Sequence, residues 1–132
     1  MKKLEHIGIA VLDLEAAEKI FSDVLGEIPY KREVVDSESV LTSFFQAGES
    51  KIELLQSTSA DGPIARHILK RGEGLHHLAF QVDDLDAEIK ELEAKGYRCI
   101  SGPKDGADGK RIAFLHPSDT SKVLVELCAD NL

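Results

Sequence analysis

The chain is poor in cysteine: Cys99 and Cys128 are the only two in 132 residues. Two thiols are too few for a disulfide framework and point to a reduced, cytoplasmic compartment. No neighbouring pattern makes a nucleophile of either, so both read as buried or inert. Long apolar runs are also missing. None approaches the roughly 18 residues that cross a bilayer, so no membrane is expected as a partner. The opening stretch MKKLEHIG turns polar again too soon for a signal peptide. Positive charge is in deficit: 16 Lys and Arg against 24 Asp and Glu give a formal net charge of −8. That argues against nucleic acid as a partner. It leaves an anionic small molecule open to a local basic patch or a bound cation. Low-complexity segments are lacking too. The remaining composition, 42% apolar and 30% charged, suits one soluble globular domain that buries a core without disulfides.

Within that domain the sequence repeats itself. LEHIGIAV at 4–11 matches LHHLAFQV at 75–82, with Leu4, His6 and Val11 on Leu75, His77 and Val82. Asp13-Leu14 and Ala16 then match Asp84-Leu85 and Ala87, and Gly26 and Gly96 close the two segments one residue out of step. Each half ends in an alternating run around a glutamate, KIELLQ at 51–56 and VLVELC at 123–128. Alternation predicts strands over 4–11 and 75–82. Asp13 is placed to cap a helix over 14–25 with Leu14, Ala17, Ile20, Phe21, Val24 and Leu25 inward, and Gly26 to stop it. A second helix is expected over 84–95 with Leu85, Ile89 and Leu92 inward. Its charged side, Glu88, Lys90, Glu91, Glu93 and Lys95, reads as solvated. Further strands are predicted near 30–35, 40–47 and 50–56, and near 97–101, 111–115 and 122–128. Between the halves Pro63 opens a short helix ended by Gly72, and GPKDGADGK at 102–110 reads as a turn-rich loop. The expectation is a single domain over 1–132, built from two repeats of about 1–60 and 73–132 joined by that linker helix.

The strand phase places the polar residues. His6 shares a face with Gly8 and Ala10, and His77 with Ala79 and Gln81, while Ile, Leu, Phe and Val fill the opposite, helix-facing side. Glu53 and Glu126 alternate with apolar neighbours in the same way. Any one of these four alone reads as a satisfied core or surface group. The duplicated set of two imidazoles and two carboxylates on rigid strands instead suits a divalent metal such as Mn, Fe, Co, Ni or Zn, with positions open to water or substrate. A cation also removes the cost of four polar groups on one inward face.

These residues make the chain resemble the vicinal-oxygen-chelate superfamily, which includes glyoxalase I, methylmalonyl-CoA epimerases, extradiol dioxygenases and bleomycin-binding proteins. The resemblance covers nearly the whole chain. It implies an α+β, glyoxalase-like fold in which two βαβββ modules form a cupped mixed sheet around a metal site. LEHIGIAVLDLEAA, KIELLQ, GPIARHILKRGEGLHHLAFQVDDLDA and DGKRIAFLHPSDTSKVLVEL are most similar to the epimerase branch. Carried over by position, the resemblance implies His6, Glu53, His77 and Glu126 as metal ligands, with Gln an alternative at Glu53 in some relatives. It implies one divalent ion per chain (cobalt first, then manganese, nickel or zinc), an acyl-CoA substrate and a homodimer. The implied reaction interconverts (R)- and (S)-methylmalonyl-CoA by removing the α-proton through a metal-stabilised enolate, with Glu126 as one acid/base group. Inversion needs a second such group. Some relatives carry a glutamate for it where this chain has Thr42, so the second group is left open, with Glu53 or a metal-bound water as candidates. Glyoxalase I (lactoylglutathione lyase) shares the four-ligand logic, and a non-catalytic small-molecule-binding member does not need it.

Lesser signals remain. His76 has the opposite phase to His77 and reads as structural. His116 in FLHP suits either a substrate pocket or a turn. His67, with Arg66, Lys70 and Arg71 on the linker helix, reads as a solvated face before a CoA-phosphate site. Lys104, Lys110 and Arg111 flank the glycine-rich loop without a phosphate-binding spacing. Ser121-Lys122 stands where a glycine pair is common in the family, which puts the shape of that loop in question.

Overall fold

The computed structural model describes residues 2–131. They divide into two compact units, one of residues 6–76 and the other of residues 77–131 with the N-terminal residues up to 5. Each unit is built by the same local rules. Strand β1 (Lys3–Ala10) is followed by helix α1 (Leu14–Leu25), then by β2 (Lys31–Val35), β3 (Val40–Ala47), β4 (Ser50–Ser57) and helix α2 (Pro63–Arg71). The second unit has β5 (Gly74–Gln81), α3 (Leu85–Ala94), β6 (Cys99–Asp105), β7 (Lys110–Leu115) and β8 (Val125–Asp130). These are two βαβββ modules of the α+β class.

The repeat extends to backbone geometry. Asp13 has φ −129° and ψ 105°, Asp84 φ −130° and ψ 104°. Each carboxylate accepts a 3.1 Å hydrogen bond from the amide three residues on, Ala16 or Ala87. One otherwise unmet N-terminal donor of each helix is thus satisfied. Replacing either aspartate with alanine is expected to cost about 1 kcal/mol, to be read as a shift in urea midpoint at unchanged slope. At the other end of α1, Gly26 adopts φ 69° and its amide bonds Ser22, a left-handed turn that favours glycine.

Strand order also repeats. In residues 6–76 it is β2-β3-β4-β1, with β1 parallel to β4 and the other pairs antiparallel. In residues 77–131 it is β6-β7-β8-β5, with β5 parallel to β8 and the other pairs antiparallel. Because side chains alternate across a strand, each sheet has a helix face and an opposite face. In the first unit Leu14 and Ala17, with Phe21 and Leu25, pack α1 on Val11, Phe45 and Leu54. In the second, Leu85 and Ile89, with Leu92, pack α3 on Val82, Ala113, Leu115, Leu127 and Ala129. Each large side chain so buried contributes about 1.5–3 kcal/mol.

Several expectations are corrected. Ile20 and Val24 are exposed; the apolar stripe that reaches the sheet runs through 14, 17, 21 and 25, and these two lie beside it. The 102–110 segment is not all loop. β6 continues to Asp105, pairing with β7 through register shifts on either side of Ser101. Gly102, at φ 90°, makes this possible: a Cβ there would stand 2.4 Å from the Ile112 carbonyl oxygen. The last strand begins at Val125, not 122, because Ser121 and Lys122 both take left-handed φ angles of 58° and 69°. The chain therefore keeps a glycine-type turn there without glycine, at a conformational cost of about 1–2 kcal/mol per residue. Arg98 braces the same loop through two 3.0 Å bonds to Asp119, which hold that carboxyl down to about 2.

Candidate metal centre

The face opposite the helix carries the polar residues in both units. In residues 6–76 the parallel register sets Gly8 beside Glu53, and the antiparallel register sets Phe44 on its other side. In residues 77–131 Ala79 and Phe114 flank Glu126 in the same way. Each glutamate thus stands between a residue small enough to leave room and a phenylalanine. Each also meets the histidine of its own unit. His6 Nδ1 is 3.1 Å from Glu53 Oε2, and His77 Nε2 is 3.4 Å from Glu126 Oε1. All four residues are buried.

Sequence reasoning singled out the four residues as one set, and within it the structure brings His6 to Glu53 and His77 to Glu126. It missed what surrounds them. The His77 ring meets Phe114 edge-on, 5.9 Å between centroids at 86°. Lys104 Nζ lies 5.9 Å from the Phe114 centroid, and Lys31 Nζ lies 5.0 Å from that of Phe44, within reach of cation–π attraction. The phase of Phe44 and Phe114 relative to the glutamates is a cross-strand property that needs the register, and the unbroken apolar run IAFL offers no alternation from which to read it.

An imidazole and a carboxylate, the donor types of each pair, fit a borderline divalent ion. Burying a carboxylate is costly unless a counter-charge or hydrogen bonds compensate.

The remaining histidines sort differently. His76, on the opposite phase to His77, packs edge-on against His67 of α2 at 4.8 Å. Burial, then the neighbouring His67, pushes His76 down to about 4. His67 itself is half-buried, so the fully solvated reading of that position does not hold. His116 has the turn role: its Nδ1 accepts from the Ser118 amide at 3.1 Å. Lys110 is engaged by Asp130 at 2.6 Å and Gln81 at 3.3 Å, and Arg111 lies 3.5 Å from Asp86. Both cysteines are free thiols, with Cys128 buried and Cys99 half-buried.

Comparison with known proteins gives this arrangement a family. Residues 5–114 match the Glyoxalase/Bleomycin resistance protein/Dioxygenase superfamily. The chain belongs to this superfamily. Within it, the chain is 41% identical to an uncharacterized Bacillus subtilis (strain 168) protein, YqjC, over 97% of its own length and 92% of that protein. It is 38% identical to the ethylmalonyl-CoA/methylmalonyl-CoA epimerase of Cereibacter sphaeroides, over 95% of its own length and 96% of that enzyme. Among solved structures, a hypothetical protein of Bacillus halodurans C-125 matches with a TM-score of 0.95 at 40% identity, covering 98% of this chain and 94% of that one. Methylmalonyl-CoA epimerase of Mycobacterium tuberculosis matches with a TM-score of 0.91 at 34% identity, covering 96% and 87%. A methylmalonyl-CoA epimerase in complex with methylmalonyl-CoA and NH4+ matches with a TM-score of 0.91 at 33% identity, covering 98% and 95%. The fold of the chain is the glyoxalase-like fold of these epimerases. Among the described residues no helix is long and apolar enough to cross a membrane.

Proposed function

We propose that the chain is a methylmalonyl-CoA epimerase that interconverts the (R) and (S) forms by moving the α-proton. The observation that carries the reading is the buried histidine–glutamate pair built twice, at matching positions of two matching modules. The relatives named above supply the substrate class.

In this reading His6, Glu53, His77 and Glu126 hold one divalent ion per chain, cobalt first, and the two repeats act as one domain. A divalent cation held there supplies Lewis-acid stabilisation of the negative charge that develops as the α-proton leaves. The protein's own part is positioning and proton transfer. The Glu126 carboxylate takes or returns the α-proton on one face of the carbon, and the His77 imidazole 3.4 Å away orients it. Ala79 beside Glu126 leaves space for the acyl group, and Phe114 on the other side keeps water off that flank. Glu53 supplies an oxygen ligand that glutamine can replace, so of the two candidates for the proton on the opposite face a water, not Glu53, is the one this reading requires. The free thiols suit a cytoplasmic compartment, and the family resemblance suggests a homodimer.

The test is to incubate the metal-loaded protein with pure (S)-methylmalonyl-CoA and follow both epimers by chiral separation. Approach to an equal mixture supports the epimerase. No interconversion, together with turnover of methylglyoxal and glutathione, replaces it with glyoxalase I.

A further inference from the structure

Thr42 is 1% exposed, and its hydroxyl oxygen has no hydrogen-bond partner among the described residues. A buried hydroxyl left in this state costs a fold free energy, so its presence calls for a reason. Packing does not supply one. Thr42 pairs with Leu55, two residues beyond Glu53 on the same face of β4. The matching place in the other unit is Ile112, which pairs with Cys128, two residues beyond Glu126. There the fold fills the position with a buried, wholly apolar β-branched side chain. The architecture asks for a β-branched residue at this point, and the hydroxyl is extra.

Its neighbourhood gives it a role. Thr42 is a diagonal cross-strand neighbour of Glu53, a relation that sets Cα atoms about 7–8 Å apart. Phe44, Leu55, Val40 and Ala10, all buried, share its face. An O–H donor in such apolar surroundings binds an anionic acceptor most strongly, because a charge-assisted bond is roughly twice as strong as a neutral one. We infer that Thr42 is a substrate-positioning residue whose hydroxyl donates a hydrogen bond to the free carboxylate of the acyl group. The inference rests on the acyl-CoA reading above and adds to it the residue that distinguishes a malonyl-type acyl group from a simple one.

The test measures binding by calorimetry on the metal-loaded protein, with malonyl-CoA, which has the carboxylate and no epimerisable centre, and propionyl-CoA, which lacks the carboxylate. Wild type, Thr42→Val and Thr42→Ser are compared. Loss of a bond to a charged group predicts that Thr42→Val weakens malonyl-CoA by at least about tenfold and leaves propionyl-CoA within about twofold. Thr42→Ser keeps the hydroxyl and stays close to wild type. In turnover the valine variant raises KM for methylmalonyl-CoA. The inference is overturned if Thr42→Val binds malonyl-CoA as wild type does and melts higher, which marks an idle hydroxyl. It is also overturned if both ligands weaken equally, or if serine fails as badly as valine. If wild type binds neither ligand, the acyl-CoA reading itself falls and takes this inference with it. If wild type binds and valine is silent, only the inference falls.

Discussion

Replacing Glu126 with glutamine is expected to lower α-proton exchange on methylmalonyl-CoA by about 10²–10⁴-fold, the range that one positioned acid/base group supplies. Glutamine matches glutamate in size and keeps an oxygen toward His77, so the buried pair loses its charge without opening a cavity. It cannot accept a proton at neutral pH. The effect should therefore fall on kcat, with folding preserved. Glu53→Gln gives the contrast. Glu53 occupies the matching place in the other unit, 3.1 Å from His6, yet its proposed part is only to offer an oxygen, and an amide oxygen suffices for that. Metal content should persist in both variants. A kcat loss in Glu126→Gln beside near-normal turnover in Glu53→Gln separates a proton carrier from a ligand. Full activity in Glu126→Gln removes the assignment.

His77→Ala is expected to be the most damaging single change to metal binding. It deletes one of the four proposed donors, so affinity should fall by more than the about 10–100-fold that losing an outer-shell partner costs. It also withdraws the imidazole 3.4 Å from the buried Glu126 carboxylate, with a stability cost of about 1–3 kcal/mol even without metal. Phe114 loses its edge-on neighbour at the same time. Metal titration and urea unfolding of the metal-free variant read these two losses separately. A variant that binds metal as tightly as wild type removes His77 from the ligand set.

The parts of this molecule that sequence alone disclosed are those that short-range chemistry decides. Asp13 and Asp84 announce their helices because a cap reaches only three residues. Alternation in LEHIGIAV and KIELLQ fixes which side of a strand His6 and Glu53 occupy, whatever the strand pairs with. Duplication then joined the two halves into one idea of a site. Cross-strand register was not readable, and so Phe44 and Phe114 beside the glutamates, Lys31 and Lys104 over those rings, and the buried hydroxyl of Thr42 came only from the structure. Gly102 and Pro103 carried a turn signal that pairing with β7 overrode. Ser121 and Lys122 hold left-handed angles that their side chains disfavour, so the start of β8 was misplaced by the alternation of VLVELC.

The most direct measurement is deuterium exchange at the α-carbon of methylmalonyl-CoA, followed by NMR in D2O. It uses metal-stripped protein and protein reloaded in turn with cobalt, manganese, nickel and zinc. The account predicts no enzyme-dependent exchange in the stripped protein. Reloading should bring rapid exchange with loss of stereochemistry, strongest with cobalt. Exchange at the same rate without metal, or none with any metal, would contradict it.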